Sequence, residues 1–258
     1  SINTATVLQR WTLPQIIAGC AAQGIRAIAP WRDQVAQCGL DVAARLIKQE
    51  GLRVSGYCRG GMFPAADAAG RQAARDDNRR AVDEALAVGA ACLVLVVGGL
   101  PAGSKDIAGA RSQVRDGIAT LLEYARPAGM RLALEPLHPM YAADRACVNT
   151  LAQANDLCAE LGQGLGVAVD VYHVWWDPTL QREIARAGKN GWLYAFHVCD
   201  WLVPTRDLLA DRGMMGDGVI DIPQIRGWME AAGYNATVEV EIFSAENWWK
   251  RDPAEVLG

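Results

Sequence analysis

One unit recurs along this chain and limits what it can fold into: a helical apolar face, a glycine, then a short apolar run. Leu13, Ile16, Ile17 and Cys20 share a helical face, and Gly24 and Ile25–Ala29 follow. Leu46 and Ile47 precede Gly51 and Leu52–Ser55, and a long helical segment from Ala68 to Val88 precedes Gly89 and Cys92–Val97. Four more units end in Gly129 and Arg131–Glu135, Gly164 and Val167–Asp170, Gly191 and Leu193–His197, and Gly233 and Thr237–Ile242. Glycine after a helix fits the left-handed residue that often closes it. Short, bounded apolar runs fit strands covered on both faces. With Ala5–Leu8 as the first, eight strands are expected. Strands alternating with helices imply right-handed crossovers and a parallel sheet. Eight such units in 258 residues are the size of a closed (β/α)8 barrel. An open doubly wound sheet is the alternative, but no Gly-x-Gly-x-x-Gly opens the first helix. No linker or low-complexity stretch divides the chain, so one barrel domain over residues 1–258 is expected.

Composition removes several function classes. With 51% hydrophobic and 21% charged residues the chain is built to fold rather than to stay disordered. The net charge of −4 and the lack of a basic stripe argue against nucleic acid as partner. No apolar run approaches the ~20 residues of a membrane span. Ser1–Thr4 lacks the regions of a secretory signal. The seven cysteines are scattered with no Cys-x-x-Cys pair, and are expected as reduced, buried residues of a cytoplasmic protein.

The chemistry concentrates late in the chain. The fifth to eighth expected strands end in Glu135, Asp170, His197 and Glu241. In a closed barrel these ends face the active-site mouth. Side chains alternate along a strand, so Ala133, Ala168, Ala195 and Glu239, each two residues earlier, share the inward parity. Three alanines leave room above them for an ion and a small substrate. A lone carboxylate at a strand end is commonly solvated or caps a helix. Four successive candidates, one of them among only three histidines, point instead to a shared ion. Three carboxylates and an imidazole are an oxygen-rich set that favours Mn²⁺, Mg²⁺ or Co²⁺, with Zn²⁺ also accommodated.

The segments Leu134-Glu135-Pro136, Asp170-Val171-Tyr172-His173, His197-Val198-Cys199-Asp200, Gly216-Asp217-Gly218-Val219-Ile220-Asp221 and Val240-Glu241-Ile242-Phe243 resemble the xylose isomerase-like TIM-barrel superfamily. This is also the sugar phosphate isomerase/epimerase family, which includes ketose 3-epimerases and inosose dehydratases and isomerases. The resemblance implies that Glu135, Asp170, His197 and Glu241 bind one divalent ion. It also implies that Glu135 and Glu241 exchange protons with a carbohydrate substrate on opposite faces. The expected activity is isomerisation or epimerisation of a ketose or keto-sugar through an enediolate. Elimination by a lyase or dehydratase on the same scaffold is the alternative. A DNA-cleaving relative of endonuclease IV and a non-catalytic barrel are weaker ones; three histidines cannot supply the three-zinc cluster of the former.

The same resemblance assigns His173 and Arg212 to substrate, with Arg206 an alternative to Arg212. Trp175 and Trp176, just after His173, are expected to form a substrate wall, because indole faces stack on sugar C–H faces. His138 either caps its loop or reaches substrate. Asp200 is a candidate to orient His197, and Arg131 a candidate to pair with Glu239. Trp248 and Trp249 are expected to pack the last turn or a contact between copies of a homo-oligomer. The glycines at 60–61 and 98–99 are expected to give flexible mouth loops.

Overall fold

A computed structural model describes residues 1–258. The elements run β1 (Ile2–Asn3), α1 (Leu13–Ala22), β2 (Ala27–Ala29), α2 (Arg32–Cys38), α3 (Leu40–Gln49), β3 (Arg53–Val54), β4 (Tyr57–Gly61), α4 (Ala68–Ala87) and β5 (Leu93–Val96). They continue with α5 (Ile107–Ala125), β6 (Leu132–Leu134), α6 (Leu151–Leu161), β7 (Leu165–Asp170), α7 (Val171–Val174), α8 (Leu180–Lys189) and β8 (Leu193–Val198). The last are β9 (Asp200–Trp201), β10 (Arg212–Gly213), α9 (Ile222–Ala231), β11 (Val238–Val240) and α10 (Pro253–Leu257).

The sheet is parallel, in the order β3-β2-β1-β11-β8-β7-β6-β5-β4. Isolated parallel bridges span the gap, from Trp31 just past β2 to Cys58 in β4 and from Val54 in β3 to Ala90 ahead of β5, so the barrel is nearly closed. It has nine strands where eight were expected, because the third stave is broken. β3 pairs with β2 and β4 pairs with β5, with Ser55 and Gly56 between them. The first strand also lies earlier than expected. Ile2 and Asn3 form it, and residues 4–6 turn into a 3-10 helix capped by the Asn3 side chain, whose Oδ1 accepts from the Ala5 N–H at 3.0 Å. A side-chain acceptor two residues back favours a turn over continued extension.

The apolar faces read from sequence pack outside the staves. Ile16, Ile17, Ile118, Leu122 and Ile184 are buried with the outward-facing strand residues Ile28, Leu93, Leu95 and Leu134 in the main core. A separate small cluster of Cys58, Cys92, Val94, Ala133, Ala168 and Ala195 fills the barrel interior. Small side chains there leave space above them, as the inward parity predicted. All seven cysteines are free, and only Cys38 is more than slightly exposed. No helix is long and apolar enough to cross a membrane.

The expected flexibility of the glycines at 60–61 and 98–99 is replaced by close packing. At Gly61 φ is +113°, and a Cβ would stand 1.9 Å from the Val96 carbonyl oxygen. At Gly99 a Cβ would meet the Ala143 carbonyl oxygen at 2.3 Å.

Candidate active site

The four strand-end residues converge. One ligand atom from each of Glu135, Asp170, His197 and Glu241 lies within 4.8 Å of every other, and all four residues are buried. The strand ladder fixes them. The Glu135 N–H donates to Leu95 O at 3.1 Å and the Glu241 N–H to Val198 O at 3.1 Å, which extends the hydrogen bonding just past β6 and β11. Asp170 pairs in register with His197 across β7 and β8. Asp170 also caps α7, its Oδ1 accepting from the Tyr172 N–H at 2.8 Å.

His197 is held at one ring nitrogen, and the other has no hydrogen-bond partner. Nδ1 lies 2.9 Å from Glu135 Oε1, and Nε2 faces Glu239 Oε1 at 3.6 Å. Burial opposes charge on this imidazole, but Glu239 and then Glu135 lift its pKa well above the ordinary value. Glu239 does not pair with Arg131. That arginine is exposed, with its guanidinium 5.4 Å from the centre of the Tyr194 ring. Glu239 instead accepts from Asn3 Nδ2 at 2.9 Å and from Ser55 Oγ at 2.8 Å. Asn3 also donates to Glu241 Oε1 at 2.9 Å, so one amide links two carboxylates.

Arg212 is buried beneath the rim between the Tyr172 and Phe243 rings, at 4.4 and 4.7 Å from their centres. Its Nη1 donates to Glu241 Oε2 at 3.2 Å and Asp170 Oδ2 at 3.4 Å. Arg206 pairs with Asp211 instead, so of these two arginines only Arg212 reaches the cluster. The His173 Nδ1 accepts from the His138 N–H at 3.2 Å, so a neutral ring carries its proton on Nε2, beside Arg212 and Asp170. Burial and then the Arg212 charge push the His173 pKa well down, keeping the ring neutral. His138 caps the short helix at 139–141 through its Nδ1 and supports His173 from behind.

Two expectations are corrected. Trp175 and Trp176 do not line the cavity over the cluster. Trp176 turns back to donate its Nε1–H to His173 O at 2.8 Å, and Trp175 packs beside Trp201, because α7 carries both around behind His173. The aromatic wall comes from Trp31, Tyr141 and Phe243 on other segments. Asp200 does not orient His197. Its carboxylate accepts the N–H groups of Trp201, Gly216 and Ile220, which ties down the segment at 216–220. Trp249 packs on Phe243 and donates to Ala5 O, while Trp248 lies under Arg251, so both serve the C-terminal turn.

The cavity above the cluster has a volume of about 220 Å³. Glu135, Glu241, His173 and Arg212 form its polar floor. The donor set fits a divalent cation. Burial raises the pKa of both Asp170 and Glu241; Arg212 opposes this, and Glu135 adds to it. Carboxylates crowded out of water in this way are relieved by a positive ion among them. The oxygen-rich donors suit such an ion, and no thiolate is among them.

Fold and site together define a parallel (β/α)-barrel protein with a buried acidic and histidine cluster at the C-terminal ends of its strands. Residues 17–256 match the family model of the xylose isomerase-like TIM barrel, and the chain belongs to that family. An inosose isomerase of Halalkalibacterium halodurans is 27% identical over 137 residues, a match that covers 50% of this chain and 45% of that protein. The crystal structure of protein SMc04130 from Sinorhizobium meliloti 1021 is 62% identical, covers 99% of this chain and 93% of its own, and superposes with a TM-score of 0.98. The IOLI protein, solved with a bound zinc atom, has the same fold at 20% identity and a TM-score of 0.85, over 99% of this chain and 92% of its own.

Proposed function

We propose that this protein is a divalent-metal-dependent isomerase or epimerase acting on a keto-sugar or inosose, with Glu135 and Glu241 as its acid/base pair. The observation that carries this reading is the convergence of Glu135, Asp170, His197 and Glu241 within 4.8 Å at a cavity that Glu135 and Glu241 line. The likeness to an inosose isomerase and to a zinc-bound barrel supports it. A dication held by these four residues would polarise a substrate carbonyl and acidify the neighbouring C–H. Mn²⁺ suits the donors, and Mg²⁺, Co²⁺ and Zn²⁺ are the alternatives to compare.

The side chains divide the remaining work. Glu135 and Glu241 come from separate staves, so each can approach a bound carbon from its own side. One removes the proton next to the carbonyl and the other returns a proton. Arg212 touches Glu241 and holds that carboxylate in one orientation. The His173 Nε2–H is placed to donate to a substrate oxygen, because Nδ1 is already committed to the His138 N–H. Tyr141, Trp31 and Phe243 exclude water from the reacting carbon.

The test is proton NMR of Mn²⁺-loaded protein with a panel of keto-sugars and inososes in D2O. Deuterium appearing beside the carbonyl on an intact skeleton is the expected result. A new alkene would mark elimination instead, and an unchanged spectrum across the panel would overturn the reading.

A further inference from the structure

Two arginines face the cavity without a carboxylate partner. Arg59 lies in the middle of β4, and Arg145 lies in the loop after β6; both line the cavity. Elsewhere, buried and half-buried arginines are matched: Arg32 binds Asp77 and Glu84, and Arg212 binds Asp170 and Glu241. Neither Arg59 nor Arg145 forms a salt bridge or a side-chain hydrogen bond. Arg145 only lies 5.7 Å from the centre of the Tyr141 ring. The pair feel each other: burial and then the Arg145 charge hold the Arg59 guanidinium below its ordinary pKa. Glu135 is close enough to be felt by Arg59 but is not bonded to it.

A third donor points the same way. Tyr141 lines the cavity with 6% of its surface exposed, and its buried hydroxyl has no hydrogen-bond partner. That hydroxyl lies within the fields of Arg212 and Arg145. Burying such a group without a partner is unfavourable, and a ligand acceptor removes the cost.

The donors are mounted on rigid backbone. Asn78 clamps Gly61, two residues after Arg59, by accepting its N–H at 2.6 Å and donating to its carbonyl at 2.7 Å. The Arg145 carbonyl accepts the Gly98 N–H at 3.0 Å, and the Arg145 N–H donates to Tyr141 O at 3.0 Å. The backbone that carries both arginines is therefore fixed before a ligand arrives, which lowers part of the entropy cost of binding.

We infer that Arg59, Arg145 and the Tyr141 hydroxyl form an oxyanion subsite, and that the substrate carries a carboxylate or phosphate besides its reacting carbonyl. This rests on the reading above only for the keto-sugar part of the substrate. Guanidinium groups bind both oxyanions through charge-assisted hydrogen bonds, and the two arginines and the hydroxyl present only donors to a ligand acceptor.

Calorimetric titration of Mn²⁺-loaded protein with D-fructose, D-fructuronate and D-fructose 6-phosphate tests it. At least one anion is expected to bind about tenfold or more tighter than fructose, the scale of one charge-assisted hydrogen bond. The tighter anion tells carboxylate from phosphate. Arg59→Met and Arg145→Met, verified as folded by circular dichroism, are each expected to shrink that ratio, and Arg59→Lys to keep part of it. Fructose binding as tightly as both anions, no binding by any of the three, or a ratio unchanged in both methionine variants would overturn the inference. Deuterium exchange into fructose without anion preference would remove the subsite and leave the proposed reaction. Anion preference without exchange in any keto-sugar would do the reverse.

Discussion

Glu239 Oε1 stands 3.6 Å from His197 Nε2, on the ring edge away from Glu135. β11 and β8 pair in register at these two residues, so the contact is set by backbone and not by chance rotamers. A carboxylate behind an imidazole fixes its tautomer and raises its basicity as a ligand. Glu239→Gln should therefore weaken Mn²⁺ binding by about 10–100-fold, the range for groups that support a metal-binding histidine. His197→Ala should weaken it further. Calorimetric titration of the metal-free proteins measures both, and unchanged affinity in Glu239→Gln would reduce that residue to a packing role.

Removal of the ion should cost stability. With metal absent, Glu135, Asp170 and Glu241 remain buried, with Arg212 beside Asp170 and Glu241 and His197 beside Glu135. A cation present at 100 times its Kd adds about 2.7 kcal/mol to the folded state. In a barrel of this size that is a rise in Tm of about 5–10 °C. Differential scanning calorimetry with EDTA and then with excess Mn²⁺ reads the shift, and coincident melts would show that the cluster holds no ion.

Glu135→Gln keeps the shape of the side chain and removes its ability to carry a proton. It should lower turnover by about 10²–10⁴-fold while the circular dichroism spectrum stays the same. The readout is the rate of deuterium exchange beside the substrate carbonyl. A normal rate would exclude Glu135 as acid or base.

His173 lies on the cavity floor but outside the four-residue cluster. His173→Ala should leave Mn²⁺ stoichiometry intact and lower kcat/KM. Metal analysis beside steady-state kinetics separates the two effects. Unaltered kinetics would leave His173 with only the His138 N–H to serve.

Asp211 is buried, and the hydrogen bonds from Arg206 hold its carboxyl below its ordinary pKa of 3.8. A depressed carboxylate pKa stabilises the fold above the unfolded value and loses that effect as pH falls through the folded one. Arg206 is 57% exposed, so solvent keeps the effect small. Arg206→Ala should lower Tm modestly at neutral pH, with the gap to wild type closing only on acidification below 3.8. A gap that is independent of pH would assign the loss to packing.

The sequence by itself determined the barrel and the four-residue cluster, because both depend on short-range regularities. Helix faces repeat within a few residues, glycine closes each turn, and the last residue of a parallel strand sits at one known end of the barrel. Glu135, Asp170, His197 and Glu241 could each be read from their own strand. The tertiary structure decided what depends on how the staves close and how the loops travel. Asn3 and Ser55 meet Glu239 only after the N-terminal strand and the broken third stave dock beside the last one. The path of α7 turned Trp175 and Trp176 away from the cavity, and distant segments brought Trp31, Arg59, Arg145 and Phe243 to it. Local periodicity carries no information on those meetings. They follow from the stagger of the strands and the dense packing of the loops, which only the closed chain fixes.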